Sequence, residues 1–260
     1  VGNALYVKAA QRGAKVTCEM GGKNAVIVMP DADLDKAATA IHGGAFGSTG
    51  QRCTATSRVI AHPDIKRALV DRLVALAEGM TLGPGLDASS DMGPSVGDRQ
   101  WSTVMNYIGV GQSEGARMLI GGTRPSRLEH GYFVEPTIFD DVTPSMRIFK
   151  EEIFGPVLGI ATATSLDEAL RFANSVEYGL TTSIFTENIS AVMRFIDEVE
   201  TGMVHVNEPT VGGEAQLPFG GTKSTGVGER EMAEEGLNFF TEVKTVFINY
   251  SGTAERSMTR

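Results

Sequence analysis

The chain lacks the residues that mark a disulfide scaffold, a nucleic-acid binder or a membrane protein. Its 260 residues include only two cysteines, too few for a disulfide framework and in keeping with a reducing compartment. Basic residues are outnumbered, 23 against 32 acidic, for a formal charge of −9. A phosphate backbone calls for a basic face, so nucleic acid is not an expected partner. No run of about 18 apolar residues offers a membrane span, and the N-terminus shows no signal-peptide pattern. The four histidines, His42, His62, His130 and His205, share no motif with either cysteine. No metal site is assigned, and no repeat or long linker interrupts the chain. These absences point to a soluble protein of the cytoplasm.

What is present suffices for a substantial core. Hydrophobic residues make up 42% of the chain, and the length fits one large or two small domains. The first residue is Val, and the chain opens directly into the helix-like 3–10; the expectation is a portion of a longer protein. Strand-like and helix-like segments then alternate. Strands are predicted at 15–18, 25–29, 58–61, 118–120, 157–163, 181–185 and 202–206, with extended character over 131–139. Helices are predicted from Asp31–Asp35 to about Phe46, and over 64–78, 97–114, 165–175 and 188–199. That alternation predicts an α/β fold with a largely parallel, helix-covered sheet.

Two glycine-flanked phrases carry chemistry. Cys18-Glu19-Met20-Gly21-Gly22-Lys23-Asn24 holds a glutamate, and Phe46-Gly47-Ser48-Thr49-Gly50-Gln51-Arg52-Cys53-Thr54-Ala55 holds a cysteine 34 residues later (53 minus 19). A lone cysteine is more often a small buried hydrophobe, and a lone glutamate is usually solvated. Cys53, however, follows a Gly-Ser-Thr-Gly loop and the cationic Arg52. An exposed loop, a positive neighbour and a helix start just after it would all favour the thiolate. Glu19 could then serve as a base, and Cys18 takes a structural role.

Two more phrases are ambiguous by themselves. Lys150-Glu151-Glu152-Ile153-Phe154-Gly155-Pro156 could be simple loop punctuation. Leu217-Pro218-Phe219-Gly220-Gly221-Thr222-Lys223-Ser224 outwardly looks like a phosphate loop, but Thr222 breaks the required Gly-Lys-Ser/Thr order. Gly109-x-Gly111 lies inside a predicted helix and lacks the dinucleotide fingerprint.

Taken together, the four phrases closely resemble the signatures of the NAD(P)-dependent aldehyde dehydrogenase superfamily, with matching segments from near residue 2 to about 248. The resemblance implies Cys53 as nucleophile and Glu19 as the base that activates water. It implies Glu152, Phe154, Gln100 and Gly21 at the nicotinamide end of NAD or NADP. Phe219 borders the aldehyde pocket, and a packed turn aromatic competes as its role. Arg52 and Thr54 join that pocket in a further resemblance to dehydrogenases of acidic semialdehydes such as 2-oxoglutarate semialdehyde; a surface role for Arg52 stands equally.

The same resemblance implies a division of the chain. Residues 1–21 would be the end of the coenzyme domain, most of whose Rossmann-like portion is absent. Residues 22–225 would be the catalytic domain, 226–240 a return to the coenzyme-domain surface, and 241–260 an oligomerisation strand and tail. A homo-oligomer follows from that strand, with an internal edge strand over 243–249 as the alternative. A small-molecule aldehyde is the implied substrate. A cysteine hydrolase or a phosphorylating acyl-reductase would want a matched base. The chief rival is a folded module without turnover.

Overall fold

The computed structural model describes residues 1–250. Helix α1 (Gly2–Gln11) precedes a two-residue strand, β1 (Cys18–Glu19). Strand β2 (Asn24–Val28), helix α2 (Leu34–Phe46), strand β3 (Thr56–Ala61) and helix α3 (Pro63–Glu78) follow. Helix α4 (Asp98–Ser113) leads to β4 (Arg117–Ile120), β5 (Thr137–Asp140), the short α5 (Arg147–Lys150) and β6 (Val157–Thr162). Next come α6 (Leu166–Asn174), β7 (Tyr178–Gly179), β8 (Thr181–Phe185), α7 (Ile189–Glu198) and β9 (Met203–Val206). Two small strands, β10 (Thr222–Lys223) and β11 (Gly226–Val227), precede α8 (Ala233–Phe240).

Seven strands form one sheet in the order β4-β5-β6-β3-β2-β8-β9. Every neighbouring pair is parallel except β4 with β5. Strand β2, flanked by β3 and β8 inside the sheet, is buried along its whole length, as a strand covered by helices on both faces must be. Val26 and Val28 join a core with Ile41 of α2 and Leu69 and Leu73 of α3. The alternate residues, Ala25 and Ile27, join Leu170 of α6 and Phe195 of α7 on the other face. A third cluster places Val104 and Ile108 of α4 against Phe139, Phe149 and Val157. Helix starts follow the sequence signals: Asp33 accepts from the N–H groups of Asp35 and Lys36, and Pro63 occupies the first turn of α3.

The structure departs from the sequence pattern where a strand depends on distant partners. The predicted strand 15–18 shifts to Cys18–Glu19, which pairs antiparallel with Gly226–Val227. The extended stretch 131–139 contracts to Thr137–Asp140. No helix begins after Cys53; a 3-10 turn, Gly47–Gly50, comes before it and β3 follows. Residues 243–249 join no sheet among the described residues, and Val243, Val246 and Ile248 are exposed. The last ten residues of the expected oligomerisation tail, 251–260, lie outside the described residues.

Candidate active site

The candidate residues gather at the amino ends of the parallel strands. Gly21 and Gly22 lead into β2, Cys53 into β3, and Glu152 and Phe154 into β6. Since β2 pairs with β3 and β3 with β6, three loops far apart in sequence arrive side by side.

The loop before Cys53 is tightly constrained. Ser48, Thr49 and Gly50 have φ values of 52°, 60° and 63°, a left-handed run that L side chains resist. A Cβ at Gly50 would overlap the Gly155 carbonyl, so this glycine lets the cysteine loop pack on the Glu152 loop. Arg52, Cys53 and Thr54 form a turn closed by the Ala55 N–H, 3.0 Å from the Arg52 carbonyl. Cys53 is half-buried. Burial pushes its thiol up, the N–H groups of Thr54 and Cys53 pull it down, and the charges of Glu19 and Glu152 push it up further. Arg52 is exposed and is not among the groups acting on the thiol. The thiolate-favouring environment expected from Arg52 and a helix start is therefore corrected: backbone N–H groups take that part.

Glu19 sits on β1, held by the β11 pairing. Its Oε1 lies 3.0 Å from where a Cβ would stand on Gly220, so the Pro218-Phe219-Gly220 loop passes against the carboxylate. Burial raises the Glu19 carboxyl above its ordinary range; Glu231 raises it further and Arg230 opposes. Arg230 donates to the Gly221 carbonyl, and Glu231 pairs with Phe219 through their backbones at 2.7 and 2.8 Å. Those two side chains, outside the four phrases, thus belong to the surroundings of Glu19.

Glu152 accepts the Gly22 N–H on Oε1 at 2.9 Å. Its Oε2 lies 2.5 Å from where a Cβ on Gly21 would stand, so Gly21 admits the carboxylate to the β2 loop. Burial raises this carboxyl too, opposed by the Gly22 N–H and by Lys23. Phe154 is partly exposed and adopts a left-handed φ of 54°. Gln100 donates from Nε2 to the Ile153 and Phe154 carbonyls, both at 2.9 Å. Gln100 therefore holds the turn that presents Phe154.

The expected pocket residues do not converge on one cavity. Phe219 lines a cavity of about 540 Å³ with Met203, His205, Leu217 and Met232, and Cys53 is not in its lining. Thr54 offers its carbonyl to Thr210 Oγ1 at 2.8 Å. Two buried members of the first phrase had no chemical part assigned to them. Lys23 is 2% exposed with its Nζ unpartnered, and Asn24 donates from its amide to the Cys53 and Ala55 carbonyls of the cysteine loop. A polar pair opening an apolar strand is the signal that would have singled them out.

Comparison with known proteins bears on the family and the fold. The profile of the aldehyde dehydrogenase family matches residues 1–246. An alpha-ketoglutaric semialdehyde dehydrogenase of Bacillus subtilis is 46% identical over 250 residues, covering 95% of this chain and 51% of that protein. A 2,5-dioxopentanoate dehydrogenase of Saccharolobus solfataricus is 45% identical over 251 residues, covering 95% and 52%. Among solved structures, an NAD-dependent aldehyde dehydrogenase from Sinorhizobium meliloti aligns with a TM-score of 0.91 at 34% identity, over 99% of this chain and 50% of that one. A Staphylococcus aureus betaine aldehyde dehydrogenase in complex with NAD+ aligns with a TM-score of 0.87 at 34% identity, over 91% and 47%. The chain thus spans about half the length of the curated relatives it matches. On the family match and the shared fold, the chain belongs to the aldehyde dehydrogenase family.

Proposed function

We propose that the chain is the catalytic portion of an NAD(P)-dependent aldehyde dehydrogenase that oxidises an acidic semialdehyde of the 2-oxoglutarate semialdehyde type. The observation that carries this reading is the convergence of Cys53, Glu19 and Glu152 about Gly21 and Gly22. The names of the Bacillus and Saccharolobus relatives support the substrate class, and the exposed Arg52 offers a guanidinium for a substrate carboxylate.

The residues present fit the nicotinamide end of the cofactor. A Cβ would fill the cradle between Gly21, Glu152 and Tyr178; without one, the carboxylate Oε2 stays available to a ribose diol. Glu152 would bind the ribose, Phe154 would pack beside the ring, and Gln100 would hold their turn. When bound, NAD supplies the two-electron acceptor of the reaction.

The chain's own residues perform the rest. Cys53 Sγ attacks the aldehyde carbon as the thiolate, and the N–H groups of Cys53 and Thr54 donate to the charge that develops there. Oxidation leaves a thioester on Cys53. Glu19 takes a proton from water, whose oxygen attacks the thioester carbonyl, releasing a carboxylic acid and the thiol. A raised Glu19 carboxyl suits a base that must take a proton from water. Residues 243–249, in no sheet of this chain among the described residues, would complete a homo-oligomer by pairing as a strand with another subunit.

The test is a fusion of this chain to the part of the Bacillus relative that it does not cover. Turnover of 2-oxoglutarate semialdehyde ahead of a neutral aldehyde, abolished by Cys53→Ser, is the expected result. A Cys53→Ser fusion that still oxidises aldehydes would sink the proposal. A folded but inert fusion would favour the rival assembly-module reading, for which the exposed Leu237, Phe240 and Val243 speak.

A further inference from the structure

Asn24 is 2% exposed, and its amide is spent entirely on backbone. Nδ2 donates to the Cys53 carbonyl at 2.7 Å and to the Ala55 carbonyl at 2.8 Å. Oδ1 accepts the Thr181 N–H at 3.3 Å. Two acceptors on one side and a donor on the other fix which amide atom is which. The residue two before it makes the approach possible, since a Cβ on Gly22 would overlap the same Cys53 carbonyl.

The consequence lies on the far side of the peptide. The chain contains no cis bonds among the described residues, and in a trans peptide the C=O and N–H point in opposite directions. Drawing the Cys53 carbonyl toward Asn24 therefore turns the Thr54 N–H the other way, and that N–H is one of the groups that pull the thiol down. The adjoining peptides are held separately. Ala55 N–H closes on the Arg52 carbonyl at 3.0 Å, and Thr210 Oγ1 holds the Thr54 carbonyl at 2.8 Å.

We propose that Asn24 is a positioning residue for the nucleophile: by holding the Cys53 carbonyl, it fixes the Cys53–Thr54 peptide so that the Thr54 N–H donates to the sulfur. The inference rests on the reading of Cys53 as the nucleophile. It ties the strand that follows Glu19 to the loop that carries Cys53, so the two arrive as one unit. The charged groups that act on this sulfur are Glu19 from β1 and Glu152 from the loop before β6. Both carboxylates oppose the thiolate, which leaves the backbone N–H groups as its support.

The experiment is the pH profile of Cys53 alkylation by iodoacetamide in the 260-residue chain, read by peptide mass mapping with the Cys18 peptide as an internal reference. Asn24→Ala should move the Cys53 profile to higher pH and slow alkylation at neutral pH about tenfold, the loss of one pKa unit's worth of thiolate. Asn24→Ser, which keeps one donor, should recover part of that loss. Thr210→Val frees the Thr54 carbonyl and the Thr56 hydroxyl but leaves the Cys53 carbonyl held, and it should leave the Cys53 profile in place. An Asn24→Ala profile equal to that of the unmodified chain, or faster alkylation of both cysteines, would overturn the proposal. So would equal shifts in Asn24→Ala and Thr210→Val, the mark of general loosening.

A second measurement needs no variant. The amide proton of Thr54 should titrate with the Cys53 thiol by NMR in the unmodified chain, and an amide indifferent to that ionisation would refute the clamp. Failure of the nucleophile reading itself shows elsewhere, as turnover surviving Cys53→Ser in the fused enzyme.

Discussion

Glu19 and Glu152 carry the same functional group and burial raises both, yet their neighbours divide their work. Glu19 faces Arg230 and Glu231 and has no hydrogen bond from β2, whereas Glu152 is pinned by the Gly22 N–H. In the fused enzyme, Glu19→Gln should slow the steady state by roughly a hundredfold to ten-thousandfold, the usual worth of a general base. A pre-steady-state burst of NADH should survive, because the thioester still forms. Loss of the burst would show that Glu19 also activates the thiol. The sign of its pH dependence follows from burial: a raised carboxyl yields its base form only above the usual carboxylate range, so deacylation should rise with pH through that higher value.

Lys23 gives a separate test on stability. Burial lowers its ammonium to about 7, with Arg58 adding to the effect and Glu152 and Glu151 opposing it. A group depressed on folding from 10.5 to about 7 contributes stability above the upper value that is lost as pH falls toward the lower one. The stability gained by Lys23→Met should therefore grow from pH 10 to pH 7 and level off below; a gain that does not change with pH in urea titrations would contradict this.

At the scale of elements, much was legible because each strand and helix of the main sheet carries its own periodicity. The five-residue run Asn24–Val28 is apolar after its first residue, and α2, α6 and α7 begin at Asp33, Ser165 and Asn188, whose side chains cap them. What stayed hidden depends on partners distant in sequence. Strand β1 owes its place to β11, more than 200 residues later, and β7 to β10; two residues are too few to show a period. The site itself was legible as four phrases, but the state of the thiol was not, since the burial of Cys53 and the two carboxylates beside it come from three loops. Those loops meet at the amino ends of parallel strands, where open α/β sheets ordinarily bind ligands at the carboxyl ends. Close packing is the condition for that meeting. Gly22→Ala would drive a methyl into the Cys53 carbonyl, and backbone cannot yield as a side-chain tip can. A loss of roughly 1–3 kcal/mol in stability is expected from such overpacking, together with a changed Cys53 alkylation profile. An alanine variant with ordinary stability and profile would mean that the two loops are less tightly joined than the structure shows.

At the scale of the whole molecule, apolar surface concentrates at the two ends of the chain. Leu5, Tyr6 and Val7 of α1, Leu237 and Phe240 of α8, and Val243 and Val246 are all exposed. Helix α1 rests near β11, and Tyr6 of α1 and Phe239 of α8 line one cavity. Exposed apolar side chains in this number favour association. Sedimentation velocity should therefore show concentration-dependent self-association, weakened by Val243→Asp with Val246→Asp; a chain monomeric at all concentrations would refute this. The same arithmetic bears on the cofactor. On the proposed reading Glu152 and Phe154 would address one end of a dinucleotide, with Gln100 holding their turn, and the chain spans about half the length of the relatives it matches. A ligand held at one end forfeits most of the contacts that offset its lost freedom of motion. Calorimetric titration of the 260-residue chain with NAD or NADP should register no micromolar site, and the fusion to the remaining part of the Bacillus relative should create one. Micromolar binding by the chain alone would mean that the cradle at Gly21 and Glu152 holds the cofactor without help, and that the division of labour proposed between the two halves is wrong.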